Sequence, residues 1–238
     1  MNDTELKDLS TSNVDKALAA LEAGDIARAK ECILGMEKEA KTIHDFAYDF
    51  VGALLTYIGR TYGDDEVVKA MRFRHGVQDQ VAEKMLGMSP EDAVRYKTML
   101  HRGHHSTMTL TEEPTRYVLK LSPCGTGGRM LLERPTLGRT TKALPESWGQ
   151  TGVPYYCAHC AVNSLISVEK GAPHPTWVIE RPKSATDACH QYCYKTTGDV
   201  PKEAYAQFGL NKHQRPAKEI ARTSEERVTP NPNQKDVT

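Results

Sequence analysis

A helical run from about Ile26 to Tyr62 is the strongest constraint on how this chain folds. Gly24 precedes it, Asp25 can cap it, Gly63 follows it, and no proline lies within it. Ile33, Met36, Ile43, Phe46, Phe50, Ala53, Leu54 and Tyr57 recur mostly three and four residues apart. That spacing is the signature of an amphipathic helix. Gly35 or Gly52 is the expected point of interruption. Before this run, Ser12 or Asn13 caps a shorter helix through Val14, Leu18, Ala19 and Leu21, ended by Gly24. After it, Asp64 and Asp65 open a helix whose apolar stripe reads Val67, Val68, Met71, Phe73, Val77, Val81 and Met85. Ser89-Pro90-Glu91-Asp92 starts another helix, which ends near His104. There the serine is the cap, proline takes the first helical position, and the acids suit the positive end of the dipole.

The periodicity then changes. Ser106 to Glu112 and Tyr117 to Leu121 read as strands joined through Glu113-Pro114-Thr115. Met130 to Leu132 reads as a further short strand. Residues 134–153 are loop-like, Pro154 to Glu169 is helical, and Trp177 to Glu180 and Cys189 to Lys195 read as strands. Pro201 to Phe208 is a last short helix. Helices first and strands later, with one inserted helix, predict an α+β fold with a small antiparallel sheet. The expected organisation is a helical region over 1–105, an α+β metal-binding region over 106–210, and a disordered tail over 211–238.

The 238 residues carry 31 basic and 31 acidic side chains. A balance of that kind argues against a nucleic-acid partner. No apolar run approaches the roughly 20 residues of a membrane helix. The polar, acidic start is unlike a signal peptide, so a cytoplasmic location is expected. A reducing compartment favours metal binding or redox chemistry over disulfides for the six cysteines.

Five of those cysteines lie in the second half. Cys157 and Cys160 form Cys-Ala-His-Cys, a spacing that lets two thiolates reach one ion from a single turn. Cys124 lies in Pro-Cys-Gly-Thr-Gly-Gly, where glycines allow sharp turns and backbone N–H groups favour a thiolate. Cys189 opens the last predicted strand. Cys193 shares its face but lies roughly 13 Å away if extended, too far to share an ion easily. The expected ligands are therefore Cys124, Cys157, Cys160 and Cys189. Soft ligands of this kind suit zinc, or alternatively iron or an iron–sulfur cluster. Plain burial of small apolar thiols and thioredoxin-like redox chemistry are the competing readings. Cys32 and Cys193 read as structural.

His101-Arg102-Gly103-His104-His105 closes the helix before the first strand. His101 and His105 share a helical face if Gly103 does not break it. The pair suits metal binding or acid–base work; the plainer alternative is that it complements the helix dipole. His44 stands beside Asp45, a combination that can orient a water, although a solvent face is the plainer reading. His159 is placed to reach the metal or its surroundings. His75, His174, His190 and His213 read as loop or surface residues. Gly125-Thr126-Gly127-Gly128-Arg129 lacks the Lys-Ser/Thr ending of a phosphate loop, which leaves only a general anion-binding role open.

Pro123-Cys124-Gly125-Thr126-Gly127-Gly128-Arg129, Tyr156-Cys157-Ala158-His159-Cys160 and Asp187-Ala188-Cys189 ahead of Tyr194-Lys195 resemble a group of bacterial proteins. These are in turn similar to the L-2-amino-thiazoline-4-carboxylic acid hydrolase-like family. The resemblance covers about residues 40 to 196. It implies that a helical front part leads into a small sheet, and that His104, Cys124, Cys157, Cys160 and Cys189 form the site with His44 nearby. It also implies that Cys193 is an ordinary strand residue.

Three functions follow as expectations. The first is a zinc hydrolase or lyase acting on a small polar substrate, with His104 or His101 moving a proton and His44 assisting. The second is a ligand-binding or regulatory protein with a structural metal. The third is an iron–sulfur protein. The chain leaves room for a homo-oligomer.

Overall fold

The computed structural model describes residues 1–77, 86–176, 178–182, 184 and 186–212. The described residues form an α+β fold in which a helical front part leads into a four-stranded antiparallel sheet. Helices α1 (Asp3–Ser10), α2 (Asn13–Glu22), α3 (Ile26–Tyr62), α4 (Asp64–Val77) and α5 (Pro90–Gly103) come first. Strands β1 (Met108–Glu112) and β2 (Arg116–Leu121) follow, then α6 (Gly127–Glu133), α7 (Tyr155–Glu169), β3 (Val178–Glu180), β4 (Cys189–Tyr194) and α8 (Lys202–Ala206). The sheet order is β1-β2-β4-β3.

The caps are those the sequence predicts. The side chains of Ser12, Asp25 and Ser89 each accept the backbone N–H three residues on, satisfying one of the orphan donors at a helix start. Gly63 ends α3 at a φ of 93°, in the left-handed region that glycine tolerates.

Helix α3 runs without interruption through Gly35, Gly52 and Gly59, contrary to the expected break. These glycines make room for neighbours rather than ending the helix. A Cβ on Gly59 would stand 2.3 Å from the ring of Tyr155, and one on Gly52 would stand 3.0 Å from Leu137.

Helix α7 is the centre of the molecule. Ala161 and Leu165 pack on Leu119 and Leu121 of β2, Ile179 of β3 and Cys189 of β4, with Trp148 and Phe208 closing the cluster. Tyr155, Ala158, Val162 and Ile166 face Leu55 of α3 and Val67 and Met71 of α4. The layers are therefore sheet, α7, and the α3–α4 pair, which buries helix and sheet faces as a two-sided core requires.

Residues 134–153 are irregular, as expected, yet firmly anchored. Buried Asp64 accepts from the Thr141 N–H at 2.6 Å, the Lys142 N–H at 2.7 Å, the Thr141 hydroxyl at 3.0 Å and the Tyr155 hydroxyl at 2.7 Å. These four donors outweigh the cost of burying Asp64 and hold its carboxyl below the usual range.

Residues 130–132 are helical, within α6, rather than a strand. Met-Leu-Leu-Glu is good helix-forming sequence, and the turn after Cys124 starts that helix where the strand reading required an extended backbone. Val81, Met85, Trp177, His213 and the predicted tail beyond residue 212 lie outside the described residues, as does the side chain of His75.

Candidate metal and proton-transfer site

The four predicted cysteines come together from three parts of the chain. Cys124 follows β2, Cys157 and Cys160 lie on the first turns of α7, and Cys189 opens β4. Cys124, Cys157 and Cys160 pack against the cluster that contains buried Cys189. All are free thiols. Register explains Cys189: it pairs with Leu121, so both side chains point from the sheet toward α7.

The glycine loop works by close approach. Neither Gly125 nor Gly127 has a positive φ. A Cβ on Gly125 would fall 1.7 Å from the carbonyl oxygen of His104, and one on Gly127 would fall 2.5 Å from the sulfur of Cys157. The loop thus lies directly on both the histidine turn and the Cys-x-x-Cys turn. The Gly125 N–H donates to the Ser106 hydroxyl at 2.8 Å and fixes it there.

Burial pushes the Cys157 thiol up to about 12, with the Cys124 charge adding to the effect. Burial also pushes Cys160 and Cys189 well up, and the other cysteines of the set push them further. The groups that pull the other way are cations. Arg181 and Arg139 act on Cys157, Lys97 acts on Cys160, and Arg181 acts on Cys189. Lys97 is buried and donates to the carbonyl of Thr176. Among the described residues, no three Cys, His, Asp or Glu side chains stand as a ready-made ligand group.

Histidines line the other side. His44 Nε2 and His104 Nδ1 are 3.0 Å apart, and His44 Nδ1 lies 2.9 Å from Asp45 Oδ1. Asp45 also accepts from Lys41 at 2.8 Å and from Arg129. These donors outweigh the upward push of burial and hold the Asp45 carboxyl far below its ordinary value. An ionised Asp45 assigns the tautomers in turn. His44 carries its proton on Nδ1 and accepts on Nε2 from the Nδ1–H of His104, which leaves His104 Nε2 with a lone pair. Burial pushes His104 down to about 4, and the charges of His44, His101, His159 and His105 add to it. His104 is therefore neutral at pH 7, the protonation state that a general base requires.

Aromatic rings connect the two halves. Tyr48 packs on His104 with centroids 5.1 Å apart and on Tyr156 at 5.1 Å. Tyr156 stacks on His159 at 4.6 Å, and His159 Nε2 lies 3.5 Å from the sulfur of Cys160. A contiguous path of side chains thus runs from Asp45 to Cys160.

His44, read from sequence as a plain helix surface, is instead largely buried. The sequence does not show that the turn after α5 brings His104 and His105 against it, which is what covers it. His101 and His105 do not act as a pair. His101 is buried against Gln191 of β4 at 3.1 Å, while His105, at a φ of 52°, turns away to Glu37 at 2.8 Å. Helix α5 reaches Gly103 and ends at His104, so the register linking positions 101 and 105 is lost. The imidazole of His174, expected at the surface, is held down to about 4 by burial and by the Lys97 charge. Cys193 lies apart from the set, 3.6 Å from the carbonyl of Pro90, and Cys32 is buried in the α2–α3 region.

Sequence reasoning did not pick out Lys97, Tyr48 or Tyr156, or the pairing of Arg129 with Asp45. Lys97 carries no sequence signal, because a lysine on an amphipathic helix ordinarily faces water. Tyr48 does carry one, four residues after His44 and so on the same face.

No protein family, no curated protein and no solved structure matches the chain. Among the described residues, no helix is long and apolar enough to cross a membrane.

Proposed function

We propose that this chain is a metal-binding protein in which Cys124, Cys157, Cys160 and Cys189 hold one zinc ion, and that it is a hydrolase or lyase acting on a small polar molecule. The observation that carries this reading is the charge environment of the four thiols. They pack in one cluster, and the charges that favour the ionised form of Cys157, Cys160 and Cys189 are those of Lys97, Arg139 and Arg181. Zinc with four thiolates carries a net charge of −2, which such surroundings stabilise. Without a cation, four thiolates packed together repel one another, and the thiols remain protonated. To take up the ion the thiols turn toward a common centre and release protons, so uptake is steeply pH-dependent.

His104 is the proton-transfer group in this reading. Asp45 fixes the tautomer of His44, and His44 in turn orients His104 so that its Nε2 is free to accept a proton. A bound metal would polarise the substrate or a water only where one of the four thiolates gave up its place or the substrate added as a further ligand. His101, held by Gln191, contributes to keeping His104 neutral.

A second reading is a purely structural metal, with the helical part recruiting a ligand or partner. Four thiolates complete a tetrahedral shell and leave no open position. An iron–sulfur cluster on the same cysteines is the third reading.

Metal analysis and an absorption spectrum of anaerobically purified protein separate the three. One zinc per colourless chain supports the zinc site, and brown protein with iron and sulfide replaces it by a cluster. Unchanged metal content in Cys157→Ser removes the site altogether. With a substrate in hand, full activity in His104→Ala removes the proton-transfer role.

A further inference from the structure

We propose that the outer face of helix α3 is the contact surface between two copies of this chain, packed antiparallel about a two-fold axis at Phe50. The inner face of α3 carries His44, Tyr48, Gly52, Leu55 and Gly59 toward the body of the molecule. Half a turn around the helix lies a second apolar stripe. Ile43 is 69% exposed, Phe46 72%, Phe50 59%, Leu54 47% and Tyr57 60%. A helix that is apolar on two opposite faces is normally covered on both.

The stripe continues one that is already covered. Toward the N-terminus of α3 the same face presents Ala29 and Cys32, which are buried, and the first residue of α2, Asn13, reaches Gly35 and Glu39. The cover ends there, and the larger apolar residues begin. Among the described residues nothing else covers the stripe. Residues 213–238 contain no Leu, Met, Phe, Tyr or Trp.

The spacing points to a second copy. Ile43 and Tyr57 lie seven residues either side of Phe50, and Phe46 and Leu54 lie four either side. A two-fold axis through Phe50 therefore sets Ile43 against Tyr57, Phe46 against Leu54, and Phe50 against itself. The same operation brings exposed Ala47 opposite exposed Ala53, small residues that let two helices approach. The α2-covered part of each helix then lies beyond the end of the other, so α2 does not obstruct the pairing. The aromatics carry 150–250 Å² each, and with Ile43 and Leu54 the stripe offers roughly 600 Å², the apolar centre of an interface that needs about 800 Å² per partner.

The test is the mass of the full chain in solution by sedimentation equilibrium. The wild type is expected at twice the 26.5 kDa chain mass. F50E sets two carboxylates against each other on the axis and is expected to weaken the dimer roughly a hundredfold or more, with an unchanged circular dichroism spectrum. F46E weakens it as well, and F46E/L54K, which places opposite charges across the interface in this register, regains it at low salt. A monomeric wild type overturns the proposal, whatever else binds the stripe. So does a dimer indifferent to F50E. Failure of L54K to rescue F46E overturns the antiparallel register. Dimerisation is read independently of metal content, so either proposal stands or falls without the other.

Discussion

Helix α3 separates two regions that invert the usual distribution of residues. On its inner side the molecule buries polarity: His44 and Asp45 from α3 itself, with Lys97, His101, His104 and four thiols behind them. On its outer side and along α1 and α2 it exposes Phe46, Phe50, Leu9 and Leu18. Buried polarity and exposed apolar surface both cost stability unless something else compensates, so both mark places where function overrides the fold. The inner region is tied together by hydrogen bonds and ring contacts between side chains far apart in sequence. The outer region depends on few contacts within the chain.

The contrast can be broken most directly at Asp64. Asp64→Ala strands buried donors from Thr141, Lys142 and Tyr155 and should cost about 4 kcal/mol. A urea midpoint near that of the wild type would show that the interior is looser than its hydrogen bonds suggest.

The next largest effect is a pH dependence. His104 titrates at about 4 in the folded chain against 6.5 unfolded. The unfolded chain therefore binds more protons between those values. The stability due to neutral His104 is complete above pH 6.5 and is lost as the pH falls toward 4, up to about 3 kcal/mol. His174 adds a loss of the same sign. Denaturation at several pH values should show the slope, and His104→Gln should remove part of it. An unchanged slope in that variant would mean that His104 is not held neutral.

Gly125→Ala places a methyl against the His104 carbonyl and should cost about 2 kcal/mol, with reduced metal uptake. Wild-type stability and uptake in that variant would show that the loop does not rest on the histidine turn. Smallest is Leu9→Ser on α1, expected within about 0.5 kcal/mol. A loss of several times that would show that the outer apolar residues are held by the chain itself.

Much of the framework was legible in the sequence. The limits of α3, the caps at Ser12, Asp25 and Ser89, the β1–β2 hairpin and the helix from Tyr155 all follow from local chemistry, since caps and periodicity act within a few residues. The cysteine set could be proposed because a Cys-x-x-Cys turn and a cysteine on a glycine loop are local signals. The sequence misled where local preference met tertiary demand. Gly35 and Gly52 look like helix breaks, but one makes room for Asn13 and the other for Leu137. His44 looks like a surface residue because the groups that bury it lie 60 positions away, around His104.

The sequence by itself determined most of the order of helices and strands and supplied the side chains proposed for the site. Each of these depends on neighbours within a turn or a hairpin. Only the tertiary structure decided that His44 of α3 meets His104 at the end of α5, that His105 turns away from His101, that Lys97 is buried behind the thiols, and that α3 keeps an apolar face left exposed by the other described residues. Those outcomes follow from how whole elements pack. Packing is set by the shape and burial of surfaces far apart in the chain, and no local pattern records it.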